Sequence, residues 1–278
     1  MWAGAGNAQT TLAWKFTKGQ TIHAERVASQ KQLVEVNNKK LKSETHSVWH
    51  VRFEVMDVRA SAAQIQATLT KVEHKTAGPA ESELIDAKLH EKMRGAVFDL
   101  DVTPSGRVLA LKGYGDFVNR LAEKDETRAA AVRVTLSESA LTARFEEFFG
   151  PLPTKSVNQK ERWDRRSVES MPHFGLLRQT ASYEYAGAID GRHLIDYTVA
   201  ATYEPPIKDD RMTLFRVVKG SFGFDDSKGR LVFDADSGIL SERDHTVRLR
   251  GELVVASKDR QHTMHVISEN TLRIRIKR

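Results

Sequence analysis

Apolar side chains recur at every second position over long stretches of this chain. That period belongs to half-buried strands, whose successive side chains leave on opposite faces, and not to helices. Trp49, Val51, Phe53 and Val55 alternate with His50, Arg52, Glu54 and Met56, and Ile195, Tyr197, Val199, Ala201 and Tyr203 alternate with Asp196, Thr198, Ala200 and Thr202. Near the C-terminus Val247, Leu249, Gly251, Leu253 and Val255 repeat the pattern, as do Leu272, Ile274 and Ile276. Turn formers stand between such stretches: Thr103-Pro104-Ser105-Gly106, Asp190-Gly191, Asp225-Asp226-Ser227-Lys228-Gly229 and Asp236-Ser237-Gly238. Each supplies the positive φ or side-chain cap that a hairpin needs. The expectation is a mainly β chain, a curved antiparallel meander of one or more sheets.

Two segments break the two-residue period and read as short helices packed against or capping the sheet. Around Glu81 to Met93, Ile85, Leu89 and Met93 recur every four residues. Ser137 to Phe149 opens on an N-cap serine, gathers Leu141, Phe145, Phe148 and Phe149 on one broad face and stops at Gly150-Pro151. Between them, Asp116 to Val134 fits either type, with Phe117, Leu121 and Ala122 able to start a helix and Ala129 to Leu136 readable as a strand. The polar, proline-flanked stretch 151–170 reads as a linker between an N-terminal β half with helices, 11–150, and a C-terminal β half, 171–278, unless the two are one continuous domain.

In 278 residues, 40% hydrophobic and 29% charged, there is enough apolar material for a sizeable core. The formal charge is +6, and the segment from Arg243 to Arg278 carries nine Lys or Arg against four acids, so most of the excess lies there. Alternation places Arg248, Arg250, Arg273, Arg275 and Lys277 on one sheet face, a basic stripe suited to peripheral contact with an anionic surface. The residues between them are aliphatic, without the aromatic platforms of single-strand readers, so no specific nucleic-acid partner is expected. The absence of cysteine removes disulfides, thiolate metal sites and cysteine nucleophiles.

Nothing nominates a catalytic group. His262 and His265, with His245 nearby, are three apart on a strand and so point to opposite faces, and His46 and His50 read as surface histidines. Asp234 to Gly238 has its glycine one place early for a calcium loop and Thr246 at the twelfth position instead of glutamate. Glu146 and Glu147 are neighbours on a helix and point apart. No metal, cofactor or enzymatic activity is expected. No apolar run is long enough for a membrane helix, and Met1 to Thr11 lacks the basic start and apolar stretch of a signal peptide. The setting is therefore cytoplasmic, or periplasmic or extracellular if a leader was trimmed.

Trp14-Lys15-Phe16 followed by Gly19-Gln20, Thr103 to Val108 with Gly113 after it, and Leu136-Ser137-Glu138 leading to Phe149-Gly150-Pro151-Leu152-Pro153 form an ordered set of short motifs. Trp163, Tyr183 to Gly187 and the Gly229-Arg230-Leu231 stretch, read as a hairpin, continue it. Over most of its length the chain resembles the bacterial family of unknown function DUF6263. The resemblance implies an exported, lipoprotein-like protein and carries over no activity, cofactor or site residue. The expected function is a non-enzymatic envelope protein that binds a hydrophobic molecule or a partner protein. The helix bearing Leu141, Phe145, Phe148 and Phe149 would then act as the lid of an apolar cavity. The alternative is an interaction module that docks its basic sheet face on an anionic surface.

Overall fold

The structure, a computed structural model, describes residues 9–78, 87–171, 174–206, 216–257 and 260–277. Five strands run through the first half: β1 Thr21–Val36, β2 Lys39–Val58, β3 Ala63–Ala77, β4 Val97–Val102 and β5 Val108–Lys112. Four helices accompany them: α1 Ala87–Met93, α2 Tyr114–Ala122, α3 Glu126–Thr135 and α4 Glu138–Phe149. Six strands follow: β6 Arg162–Met171, β7 Gly175–Ile189, β8 Arg192–Glu204, β9 Arg216–Asp234, β10 Ile239–Ser257 and β11 Arg260–Lys277. All eleven form one antiparallel open sheet in the order β5-β4-β3-β2-β1-β11-β10-β9-β8-β7-β6. Each half is a meander, and the two join where β1 pairs with β11 in a register running from His23↔Lys277 to Val36↔Met264.

The strands are unusually long. At about 3.3 Å per residue, the 20 residues of β2 reach roughly 65 Å, against about 20 Å for a common strand. Four short helices cannot cover such a surface, so the inner face divides into two regions. At one end the apolar series Trp49 to Val55, Ile22-Ala24, Ile65 to Leu69, Leu231-Phe233 and Ile274-Ile276 packs against the helices as a single core. At the other end, among the described residues, the same strands run on without a covering layer.

The centre of the plug is α4. Ser137 caps it by accepting a hydrogen bond from the Ala140 N–H at 3.2 Å, and Leu141, Phe145, Phe148 and Phe149 are at most 1% exposed. Phe53 meets Phe148 and Phe149 at centroid separations of 5.4 and 5.1 Å, while Phe98 meets Phe145 at 5.3 Å. The helix ends on Gly150 at φ +62, and the Trp14 indole donates to the Phe149 carbonyl at 2.6 Å. Gly106 of the β4–β5 turn touches this end, since a Cβ there would stand 2.0 Å from the Gly150 oxygen.

One stretch left open is settled, and two local expectations need correction. The ambiguous stretch resolves into two helices, because Asp125 accepts from the Arg128 N–H at 3.0 Å and so starts α3 in place of a strand; Ala129 and Val132 then turn inward together. Asp225 to Gly229 is not a turn but lies inside β9, where the register shifts between Arg248 and Leu249 absorb one extra residue; Gly229-Arg230-Leu231 is likewise mid-strand. Residues 162–170 of the expected linker belong to β6, the outermost strand of the second meander. The first part of the helix expected around Glu81 to Met93 lies outside the described residues, and its C-terminal part is α1.

Candidate functional site

Beyond the helical plug, the inner face of the sheet bounds a cavity of about 1220 Å³. Drug-sized ligand sites span roughly 300–1,000 Å³, so this volume is generous. Its wall follows the inward positions of the strands: Arg26 through Val34 on β1, Met264 through Leu272 on β11, and Val247 through Leu253 on β10. Eight residues separate Arg26 from Val34, which gives the wall a length of roughly 26 Å.

Polarity changes along that length. Toward the far end lie Val34, Phe174, Leu177, Phe222, Leu253 and Met264; a second apolar cluster, built on Val217, Leu253 and Val255, forms there, away from the helices. The middle is uncharged and mixed, with Gln30 donating to the Ser268 hydroxyl at 3.0 Å beside Val247 and Leu249. The floor, where the cavity meets α4, is charged.

Arg26, Arg144 and Glu147 meet at this floor. The Arg26 Nε lies 2.5 Å from a Glu147 carboxylate oxygen, and the Arg243 guanidinium reaches the Glu147 main-chain carbonyl at 3.2 Å and the Tyr197 hydroxyl at 3.1 Å. Burial alone would raise the Glu147 pKa, but the charges of Arg26, Arg243 and Arg144 outweigh it and hold the group below the usual carboxylate range. Glu169 on β6 behaves oppositely. Desolvation by the surrounding protein raises it, and the Glu147 charge adds to this, although Gln179 donates to it at 2.7 Å and it keeps accessible surface along the cavity wall.

Arg144 differs from its neighbours. Its guanidinium stands over the Trp49 ring at 5.2 Å, with that of Arg26 at 5.9 Å from the same ring. Arg26 has Glu147, whereas no carboxylate lies within 4 Å of Arg144 among the described residues. Burial lowers its pKa and the charge of Arg26 pushes the same way, against a smaller opposing pull from Glu147 and Glu169.

Three uncharged histidines complete the floor. His74 and His90 stack at 4.2 Å, nearly parallel. His90 is pushed down to about 4 by burial first, then by His74 and Arg144; His74 is lowered by burial and by Arg144. His245 is pushed down to about 4 by burial and by Arg243. Ser227 Oγ lies 3.2 Å from His245 Nε2, the pairing of a nucleophile and a base. Yet an imidazole of that pKa is a weak base near neutrality, and the same hydroxyl accepts the Val199 N–H at 2.9 Å.

The residues expected to line a cavity under a lid do not line this one. Leu141, Phe145, Phe148 and Phe149 are solid core, and the opposite face of α4, through Arg144 and Glu147, borders the cavity. The helix is the floor and not the lid, because its phenylalanines find partners in Phe53, Phe98 and Trp14. Arg248, Arg250, Arg273 and Arg275 do share the outer face, but each has an acid: Glu269 at 3.7 Å, Asp225 at 3.0 Å, Asp244 at 3.1 Å, and Asp244 again at 3.1 Å with Glu242 at 3.7 Å. That face is therefore a mixed-charge lattice, with Lys277 exposed at its edge. His262 binds Asn37 and His265 faces Glu252, while His46 binds Ser29 and His50 faces Glu25.

The floor residues were missed because they were read one motif at a time. Strand parity marks them: Arg26 falls in phase with Ile22 and Ala24, and His245 in phase with Val247 and Leu249. A charge in phase with core positions signals an inward ionisable group.

An open antiparallel sheet, filled by helices at one end and hollow at the other, defines a β-rich protein with a half-open cavity along the inner face of its sheet. Residues 50–239 match the family of unknown function DUF6263, and the chain belongs to that family. No curated protein matches it. A structure of lipovitellin that describes lipid–protein interactions is 10% identical, with 95% of this chain and 26% of that chain covered and a TM-score of 0.48. This chain thus spans about a quarter of the length of that relative. An outer membrane channel from Pseudomonas putida F1 is 6% identical, with 97% and 100% covered and a TM-score of 0.25. Among the described residues, no helix is long and apolar enough to cross a membrane.

Proposed function

We propose that this protein is a non-catalytic binding protein of the bacterial envelope that holds a hydrophobic or amphipathic small molecule in the cavity between the sheet and the floor of α4. The observation that carries the reading is the cavity itself. A half-open hollow of about 1220 Å³ bounded by inward strand positions is large enough for a small molecule, and its apolar end presents side chains that an occupant would cover. The apolar far wall suits a hydrocarbon, and the weakly basic His245 supports a binding role over a hydrolytic one. The envelope setting rests on the motifs shared with the family and is the part that cell fractionation would check.

The direct test is native mass spectrometry of gently purified protein, followed by solvent extraction. A bound mass that dissociates as an apolar small molecule is expected, together with a fluorescent amphiphile that binds one per chain and is displaced by the extract. Protein that carries no adduct and binds no amphiphile would remove the reading.

A further inference from the structure

The Trp49 ring carries two guanidiniums, and only one has a counter-ion. Arg26 is matched by Glu147 at 2.5 Å, while Arg144 makes no hydrogen bond or ion pair among the described residues. It is enclosed by protein and keeps its accessible surface along the cavity it borders. An isolated buried charge is costly unless paired. At the floor three arginines, Arg26, Arg144 and Arg243, face the ionised Glu147, and the second carboxylate on the cavity wall, Glu169, is pushed by burial toward its neutral form. Burial and the charge of Arg26 lower the Arg144 pKa, and the more distant carboxylates of Glu147 and Glu169 offset this only in part. Some 26 Å of wall then runs from the floor past an uncharged, mixed middle to the apolar end at Val34, Leu253 and Met264.

We propose that the cavity takes a single-chain anionic amphiphile, its acidic head group paired with the Arg144 guanidinium at the floor and its hydrocarbon chain laid along the strands toward the apolar end. This rests on the binding function proposed above and names the ligand class for the same site. The guanidinium offers two parallel N–H donors to a carboxylate or a phosphate, and the neutral His74 and His90 beside it add no competing charge.

Three ligands of equal chain length, hexadecanoate, hexadecyl phosphate and hexadecanol, separate this proposal from the broader one. The full-length protein is expected to bind at least one acid about tenfold or more tightly than the alcohol, the scale of a charge-assisted hydrogen bond. Which acid binds tighter tells a carboxylate ligand from a phosphate one. Arg144→Gln should abolish the preference while leaving alcohol binding intact, and Arg144→Lys should retain part of it. A second measurement needs no Arg144 variant: a spin label beside the carboxylate should quench Trp49 fluorescence more strongly than one at the tail end, and the difference should vanish in Trp49→Phe. Equal affinity for acids and alcohol, a preference that survives Arg144→Gln, or stronger quenching from the tail label overturns the head-group assignment while the binding function stands. Binding of none of the three overturns both.

Discussion

Glu147 is the residue on which the floor balances. It lies among Arg26, Arg144 and Arg243, and its removal would leave three cations facing one another in a poorly hydrated place. Breaking a buried ion pair on one side costs about 3–5 kcal/mol, because the surviving charge loses its compensation. Glu147→Gln should therefore lower the denaturant midpoint more than Glu146→Gln: the two side chains are about equally exposed, but Glu147 is held among Arg26, Arg144 and Arg243, whereas the ion pair of Glu146 is with Arg165 at 2.9 Å. A midpoint unchanged by Glu147→Gln would refute the balance described. Acid acts on the same cluster with a definite sign. Glu147 sits below the ordinary carboxylate range, and His245 sits at about 4 against its ordinary 6.5. In both cases the unfolded chain takes up protons before the folded one, so the stability each contributes is present above its unfolded pKa and fades as pH falls through the folded value. Thermal melts should thus fall between pH 6.5 and 4, and His245→Gln should flatten the slope in that window by up to about one proton. A melt that rises toward acid there would contradict the burial of the imidazole.

The elements were legible in proportion to how far one local rule governed them. The strands over Trp49 to Val55 and Ile195 to Tyr203 follow a clean period of two because one of their faces is apolar throughout. Likewise α4 was readable from its serine cap, its aromatic face and its Gly-Pro stop. Where two rules compete, local reading fails. Asp225 to Gly229 has the composition of a turn, yet its neighbours on β8 and β10 hold it in the ladder, with Asp225 paired to Arg250 and Ser227 donated to by the Val199 backbone. The glycine there serves packing. A Cβ on Gly229 would lie 2.1 Å from the Tyr197 ring, which occupies the space opposite it on β8 and stacks toward Tyr183. Gly229→Ala must push the ring aside, at roughly 1–3 kcal/mol for overpacking a tight site. Gly223→Ala, with open space around the added methyl, should cost less than half as much. Equal losses of stability from the two, measured by chemical denaturation, would mean that Gly229 supplies chain flexibility and not room for the ring.

At the scale of the molecule, the division into halves that the polar stretch 151–170 suggested is bridged in several places. The β1·β11 ladder joins residues about 250 positions apart in sequence over fourteen register pairs. The core runs across that seam, with Phe53 and Phe98 in the same cluster as Tyr183, Leu231 and Ile274. The N-terminal segment fastens it further, as the Lys15 N–H donates to the Gly238 carbonyl at 3.0 Å while Trp14 holds the end of α4. The cavity is shared too, since Arg26 and Trp49 come from one half and Val199, Leu253 and Met264 from the other. This sharing is why single motifs could not reveal the site: its floor is drawn from the first meander, α4 and the last strands, which meet only after the most non-local pairing in the chain has formed. Neither half can bury its own part of the plug, and β1 without β11 would present a 16-residue edge strand to solvent. Unfolding should accordingly be a single transition, with far-UV circular dichroism and tryptophan fluorescence coincident along a denaturant titration. A fragment ending at residue 150 should lack the strand spectrum of the whole and bind no amphiphile. Separated transitions, or a fragment that folds and binds alone, would show that the seam between β1 and β11 is a contact between independent units and would move the cavity into one of them.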